Sequence, residues 1–324
     1  MVLNRKMFNR LLLAVTLPFF NAIASAQDYP SKPVRIIVPT APAGGVDGVA
    51  RIVSQKLQEK WGISVTVENR AGASGAIGAE AVFRAAPDGY TLLVATPGAL
   101  VTNKLLIPKL AYDSDAFAPV SVIAESPQVL VANAKVGAET LQSLLALAKA
   151  KPELLNYGSP GNGTVPQLAF ELLKATAGVK IVHVPFKGNA PALAALLGGQ
   201  VEMIIDAIST TRSGVRAGTL RALAVTGAKR HPSMPSVPTV SEVLPGFLAI
   251  VWYGMVAPPG TSSAITGRIS AAVAEALKQP DAAKRLQDMN VDPVGGTPGE
   301  MAQFVKRESE VWGSIIRTAG ITSD

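Results

Sequence analysis

The chain contains no cysteine among its 324 residues. This excludes disulfides, a thiolate nucleophile, a zinc–thiolate site and a lipid-modified N-terminal cysteine, so the fold must rest on its core. Histidine is almost as scarce. His183 and His231 are the two in the chain, and they lie far apart in sequence. No metal and no cofactor is therefore expected. Charged residues make up 16% and aromatics 5%. The 30 Lys and Arg outnumber the 23 Asp and Glu without forming a run, so the basic balance does not point to nucleic acid. Long apolar stretches are missing too: the apolar run 11–20 falls well short of the ~20 residues a membrane span needs. No Gly-Lys-Ser/Thr phosphate loop, no G-x-G-x-x-G fingerprint and no G-x-S-x-G nucleophile turn occurs.

What is present begins with an address. Arg5, Lys6 and Arg10 precede the apolar run, and Ala24-Ser25-Ala26 has the A-x-A form of a signal-peptidase site. Residues 1–26 are read as a signal peptide, with Gln27 the first residue of an exported, periplasmic chain. Their loss removes three positive charges and no negative ones, taking the net charge from +7 to +4.

Beyond residue 26, strand-like and helix-like segments alternate, which predicts an α/β fold with mostly parallel sheets flanked by helices. Strands are expected at 34–38, 64–67 and 91–95, with helices at 47–61 and 75–86. Asp47 is the candidate N-cap of the first helix. A second series follows: strands at 128–132, 154–157, 181–184, 201–206 and 220–226, and helices at 140–150, 164–176 and 190–197. A Pro-rich stretch (Pro232, Pro235, Pro238, Pro245) leads to a strand at 248–256 and three helices at 261–278, 281–290 and 297–319, expected to pack on the first series. The implied organisation is two lobes, 27–125 plus 247–324 and 126–246, joined by two crossovers.

Two Gly-rich turns sit in equivalent places. Pro39–Asp47 follows the first strand, and Gly158–Thr164 follows a strand of the second lobe. Glycine lets backbone approach a ligand closely, and the helix that follows offers unpaired N–H groups and a positive dipole end. Each turn alone reads equally as a tight strand–helix connection. As a pair they suggest a pincer for a small anion. Asp206 closes a strand where ligands bind in parallel sheets, or caps the next helix. His183, in an apolar strand, reads as a packed structural residue. Asp113 and Asp115 read as turn residues, and Trp252 and Tyr253 as core near a hinge. A hydrolase or transferase would have to use Ser159, Thr164 or Asp206 without a partnering His.

The chain also resembles the Bug-type periplasmic receptors of tripartite tricarboxylate transporters. The resemblance runs along the whole mature chain: Asp47…Ala50-Arg51, Val67-Glu68-Asn69-Arg70 with Gly72 and Gly75, Pro87-Asp88-Gly89-Tyr90-Thr91, His183-Val184-Pro185-Phe186-Lys187-Gly188, and Trp252-Tyr253-Gly254. It implies a two-lobed Venus-flytrap fold of the type II periplasmic binding-protein class. It implies a monomeric receptor, not an enzyme, that grips a small carboxylate between its lobes and hands it to the large and small membrane subunits of a permease. A ligand-presenting sensor is the alternative use. Carried over, the contacts are Thr40, Ala43, Gly44, Gly45, Asp47, Thr96, Pro97 and Gly98 from the first lobe, and Gly158, Ser159, Gly161, Asn162, Gly163, Thr164 and Asp206 from the second. Thr40, Gln167 and Ala207 depart from residues frequent in the family (aromatic, His and Asn), and Thr40 is the departure expected to alter ligand choice.

Overall fold

The computed structural model describes residues 29–322; the signal segment 1–26 lies outside them. In the first half-sheet β1 (Val34–Val38) is buried except at Arg35. It pairs in parallel with β2 (Val65–Asn69) and β3 (Thr91–Ala95). β9 (Ile250–Ala257) runs antiparallel to β3 and to the first part of β4 (Ala118–Asn133), and the short β10 (Asp292–Pro293) pairs with β4 as well. The second part of β4 pairs antiparallel with β7 (Met203–Ala207) and β8 (Leu220–Val225). β5 (Asn156–Ser159) lies parallel between β7 and β6 (Val182–Pro185). β4 thus belongs to both half-sheets, changing partners at Pro127–Gln128. The expected strand at 128–132 is only its second part.

Helices flank the strands. α1 (Gly45–Trp61) packs Val49, Ile52, Val53 and Leu57 on the first half-sheet, while α2 (Ala76–Phe83) buries Ala79 and Val82. A π turn, Gly98–Thr102, continues into α3 (Asn103–Leu106). α4 (Leu141–Ala150) starts at Thr140 as expected, through a reciprocal capping box with Ser143. α5 (Val165–Ala177), α6 (Asn189–Gly198) and α7 (Ile208–Arg216) complete the second series. α7 is absent from the sequence expectations.

The chain closes with α8 (Ser263–Leu277), α9 (Pro280–Asp288) and α10 (Pro298–Ala319). α8 and α9 pack on the first half, as expected, but α10 lies along β4 and also reaches α5 of the second series. Trp252 of β9 and Trp312 of α10 are both buried, and both indole N–H groups donate to one Glu308 oxygen, at 2.8 and 2.9 Å. A buried indole needs an acceptor, and this shared one fastens α10 to the sheet. Burial pushes the Glu308 carboxyl above its ordinary range.

Candidate functional site

The first Gly turn is organised by a carboxylate. α1 begins at Gly45 with Gly44 as N-cap, so Asp47 is not the cap residue; it lies inside the first turn. Asp47 is 3% exposed. Its Oδ2 accepts the Ala43 N–H at 3.0 Å and Arg51 Nε at 2.9 Å, and its Oδ1 accepts Asn69 Nδ2 at 2.9 Å. The Arg51 guanidinium holds the carboxyl below its usual range. Asn69 also donates to the Thr40 carbonyl at 3.1 Å, so the loop is tied at both ends. Ala43 sits at φ +66°, a conformation that costs a non-glycine residue free energy. Gly45 faces β9: a Cβ there would lie 2.7 Å from the Tyr253 hydroxyl. The positive end of α1 is therefore already met by the protein's own Asp47.

The second turn works differently. Gly158 and Ser159 are the end of β5 rather than loop, and Gly158 packs against Phe186, Ile204 and Val201. Gly161 and Gly163 have φ of +137° and +74°. The Thr164 hydroxyl donates to the Gly161 carbonyl at 2.7 Å, and Gly163 N–H donates to Gln167 Oε1 at 2.6 Å. Thr164 is the N-cap of α5 but makes no side-chain cap bond. The first turn of this 13-residue helix thus keeps its positive end without a neighbouring acidic side chain in the turn.

Ser159 has a histidine partner, contrary to the sequence expectation: Ser159 Oγ lies 2.6 Å from His183 Nε2. The register explains it. Tyr157 stands opposite His183 in the parallel β5–β6 pair, so Ser159 is two residues further along on the same face. The neighbouring groups bias the ring's polarity. Gly163 N–H fixes Gln167 Oε1 as acceptor, which turns the amide Nε2 toward His183 Nδ1 at 3.3 Å. Nδ1 is then the acceptor, and Nε2–H donates to Ser159. Ser159 is completely buried and also exchanges bonds with Gly161 at 3.2 Å. The role of the network is to set the loop's shape. Asp206 is 2% exposed; its Oδ1 accepts Asn189 Nδ2 at 2.5 Å and the Ala207 N–H at 2.7 Å, while Oδ2 has no hydrogen-bond partner among the described residues. Burial raises its carboxyl above the ordinary range. Ala207, not Asp206, caps α7.

Between the two halves lies a cavity of about 520 Å³. Of the expected residues, Thr96, Gly98, Asn162, Gly163 and Thr164 line it. Pro97 is buried beside them. The cavity wall also contains residues the sequence reading did not single out: Ala73, Ser74, Asn103, Leu106, Ile107 and Val251. Four successive residues, Gly72 to Gly75, have positive φ (133°, 46°, 52° and 87°). Asn103 Nδ2 holds this segment by donating to the Ser74 carbonyl at 3.0 Å. Such backbone persists only where its surroundings over-determine it. Gly72 and Gly75, three residues apart, were the available signal. Among the described residues, no charged side chain lines the cavity. Thr40, Ala43, Gly44, Gly45 and Asp47 adjoin it only indirectly: Pro39 packs against Gly75, whose neighbour Ser74 is in the wall. The halves touch where Thr102 Oγ1 donates to the Gly163 carbonyl at 3.4 Å, and where Arg212 Nη2 donates to Asn290 Oδ1 at 2.6 Å.

Comparison with known proteins agrees with this architecture. The family model described as the tripartite tricarboxylate transporter family receptor matches residues 49–321. BugT of Bordetella pertussis is 35% identical over 302 residues, covering 92% of this chain and 93% of that protein. An R. palustris protein solved with adipate is 35% identical, with a TM-score of 0.79 over 92% of this chain and all of that one. MatC from Rhodopseudomonas palustris, solved with bound malate, is 34% identical, with a TM-score of 0.74 over 89% of this chain and all of that one. The chain is a member of the tripartite tricarboxylate transporter receptor family, and its fold is the two-lobed α/β fold of periplasmic solute-binding proteins.

Proposed function

We propose that this protein is a periplasmic receptor that captures a small carboxylate between two lobes, 27–125 plus 247–324 and 126–246, and delivers it to the large and small membrane subunits of a tripartite tricarboxylate-type permease. The observation that carries the reading is the cavity between the halves, whose largely apolar wall holds a few uncharged polar groups. Ser74, Thr96, Asn103, Asn162 and Thr164 give it hydroxyls and amides, and the start of α5 gives it a positive dipole end. Such a wall suits a carboxylate met by N–H groups, hydroxyls and water rather than by a salt bridge. Two relatives were solved with the dicarboxylates adipate and malate.

The ligand binds the closed form more tightly and so shifts an open–closed equilibrium. The first loop, Thr40 to Asp47, acts as a scaffold that holds Pro39 against the 72–75 segment. The protein acts as a monomer and as a receptor rather than an enzyme: of the two Ser–His pairs among the described residues, Ser159–His183 is used to shape a loop and Ser233–His231 lies away from the cavity. The test is calorimetry on the exported protein, unfolded, stripped and refolded, against adipate, malate and a panel of mono- and tricarboxylates. Saturable 1:1 binding of one acid is the expected result. Binding of none, by a protein that melts cooperatively, would overturn the carboxylate assignment.

A further inference from the structure

A second cavity, of about 560 Å³, lies on the far side of the segment that walls the first. Gly98, Asn103 and Leu106 face the interlobe cavity, while Leu100, Lys104 and Leu105 face this one. Its opposite wall is α10, through Met301, Val305 and Ser309, which are four residues apart and so lie on one stripe of the helix. Two features set it apart from an imperfectly filled core. Ser114 and Ser309 both border it, and both carry buried hydroxyls without a hydrogen-bond partner among the described residues. Ser114 as a whole is 6% exposed. Orphaned buried hydroxyls are rare, and each calls for an explanation. The charge is also unbalanced. Lys104 is taken by Asp115. Lys306 and Arg317 then line the cavity against a single further carboxylate, Glu310, and no ion pair joins these three among the described residues.

We propose that this cavity is a second ligand site, for an amphipathic monoanion: an aliphatic chain lying along Leu100, Leu105, Met301 and Val305, with a carboxylate at Arg317, which lies beside Gly313 and Leu105, and Lys306 adding positive charge about three turns away on the same wall. The size falls within the roughly 300–1,000 Å³ of small-molecule sites. An apolar chain gains from leaving water, and a head group or its water supplies partners for the two serines. The site is separate from the proposed carboxylate cleft and does not depend on that assignment.

Decanoate is the probe, and the Met301 methyl group, observed by NMR in methyl-labelled protein and assigned with Met301→Leu, is the reporter. Titration should move the Met301 signal saturably. Ala302→Trp, which adds bulk to the cavity wall at an exposed position, should weaken this binding at least tenfold. Lys306→Glu with Arg317→Glu should do the same without adding bulk, and provides the second arm if the tryptophan variant does not fold. Calorimetry with malate should be unaffected by these changes. A Met301 signal that does not move, or decanoate affinity that is unchanged in both variants, would overturn the proposal. So would decanoate binding that is abolished by saturating the cleft while the Met301 signal stays still, because that would place the probe in the cleft.

Discussion

Leu106 occupies the space in which a side chain on Gly163 would have to grow: a Cβ there would lie 2.3 Å from Leu106 Cδ1. The two residues belong to opposite halves of the molecule and both line the cleft. Gly163→Ala should therefore be harmful twice, by forcing alanine to φ +74° and by driving Leu106 out of place. The expected cost is about 1–3 kcal/mol of stability, with weaker ligand binding. Adding Leu106→Ala should relieve the steric part and leave the backbone part. Melting and calorimetry on the single and double variants check this. Strictly additive losses would show that the two residues do not meet.

Asp47→Ala should loosen the first loop, because Ala43 N–H and Asn69 lose their acceptor and Arg51 its ion-pair partner. A cost of about 2 kcal/mol is expected near neutral pH for hydrogen bonds to a charged group. The folded-state pKa is depressed, so this stabilisation is present above the ordinary Asp range and is lost as pH falls through the lower folded value. The gap between wild-type and variant melting temperatures should accordingly narrow in acid. A gap that widens in acid would contradict the ion pair.

Asp206→Asn has the opposite sign. Burial raises the folded pKa, so the ionised carboxylate costs stability at neutral pH, and that cost disappears as pH falls below the folded value toward the ordinary one. The variant keeps an oxygen for Asn189 and Ala207. It should melt higher than wild type at pH 7, and the advantage should shrink toward pH 4. Lower melting at pH 7 would mean that the unpartnered Oδ2 is met by a bound cationic or donor group.

Ser159→Ala separates loop-shaping from catalysis. It removes the bonds to His183 and Gly161, and a loss of roughly 1–3 kcal/mol is expected for buried partners left unsatisfied, with weaker carboxylate binding. Ester and phosphate turnover should be at background in both proteins. Turnover in wild type that Ser159→Ala abolishes would restore the enzyme reading.

Much of the fold was legible because its signals are local. Residues 34–38 and 91–95 are short, mostly apolar segments and form β1 and β3 with the expected limits. Thr140 and Thr297 announce their helices through side chains three residues ahead. The failures have physical causes. The first part of β4 contains Pro119, Glu125 and Pro127 and does not look like a strand, yet β9 accommodates it through shifts of register. α7 is built from Ile208, Ser209, Thr210, Thr211 and Gly214, residues of low helix propensity, so only its packing reveals it. The site divides in the same way. The Gly-rich turns were visible, but the Ser159–His183 contact depends on the pairing of β5 with β6. The Asn103–Ser74 bond depends on a fold that brings together residues 29 positions apart.

The single 16-residue β4 has a mechanical consequence. A chain that merely passes twice between lobes could act as a free pivot. Here the same strand is hydrogen-bonded on both sides of the boundary, to β9 before Pro127 and to β7 and β8 after it. Opening of the proposed receptor would therefore flex a continuous ribbon, with its irregular registers near Ser121, Ala124 and Val131 as the places to absorb the bend. On the proposed function the molecule would bend like a leaf rather than swing like a door, with β4 as the part that flexes.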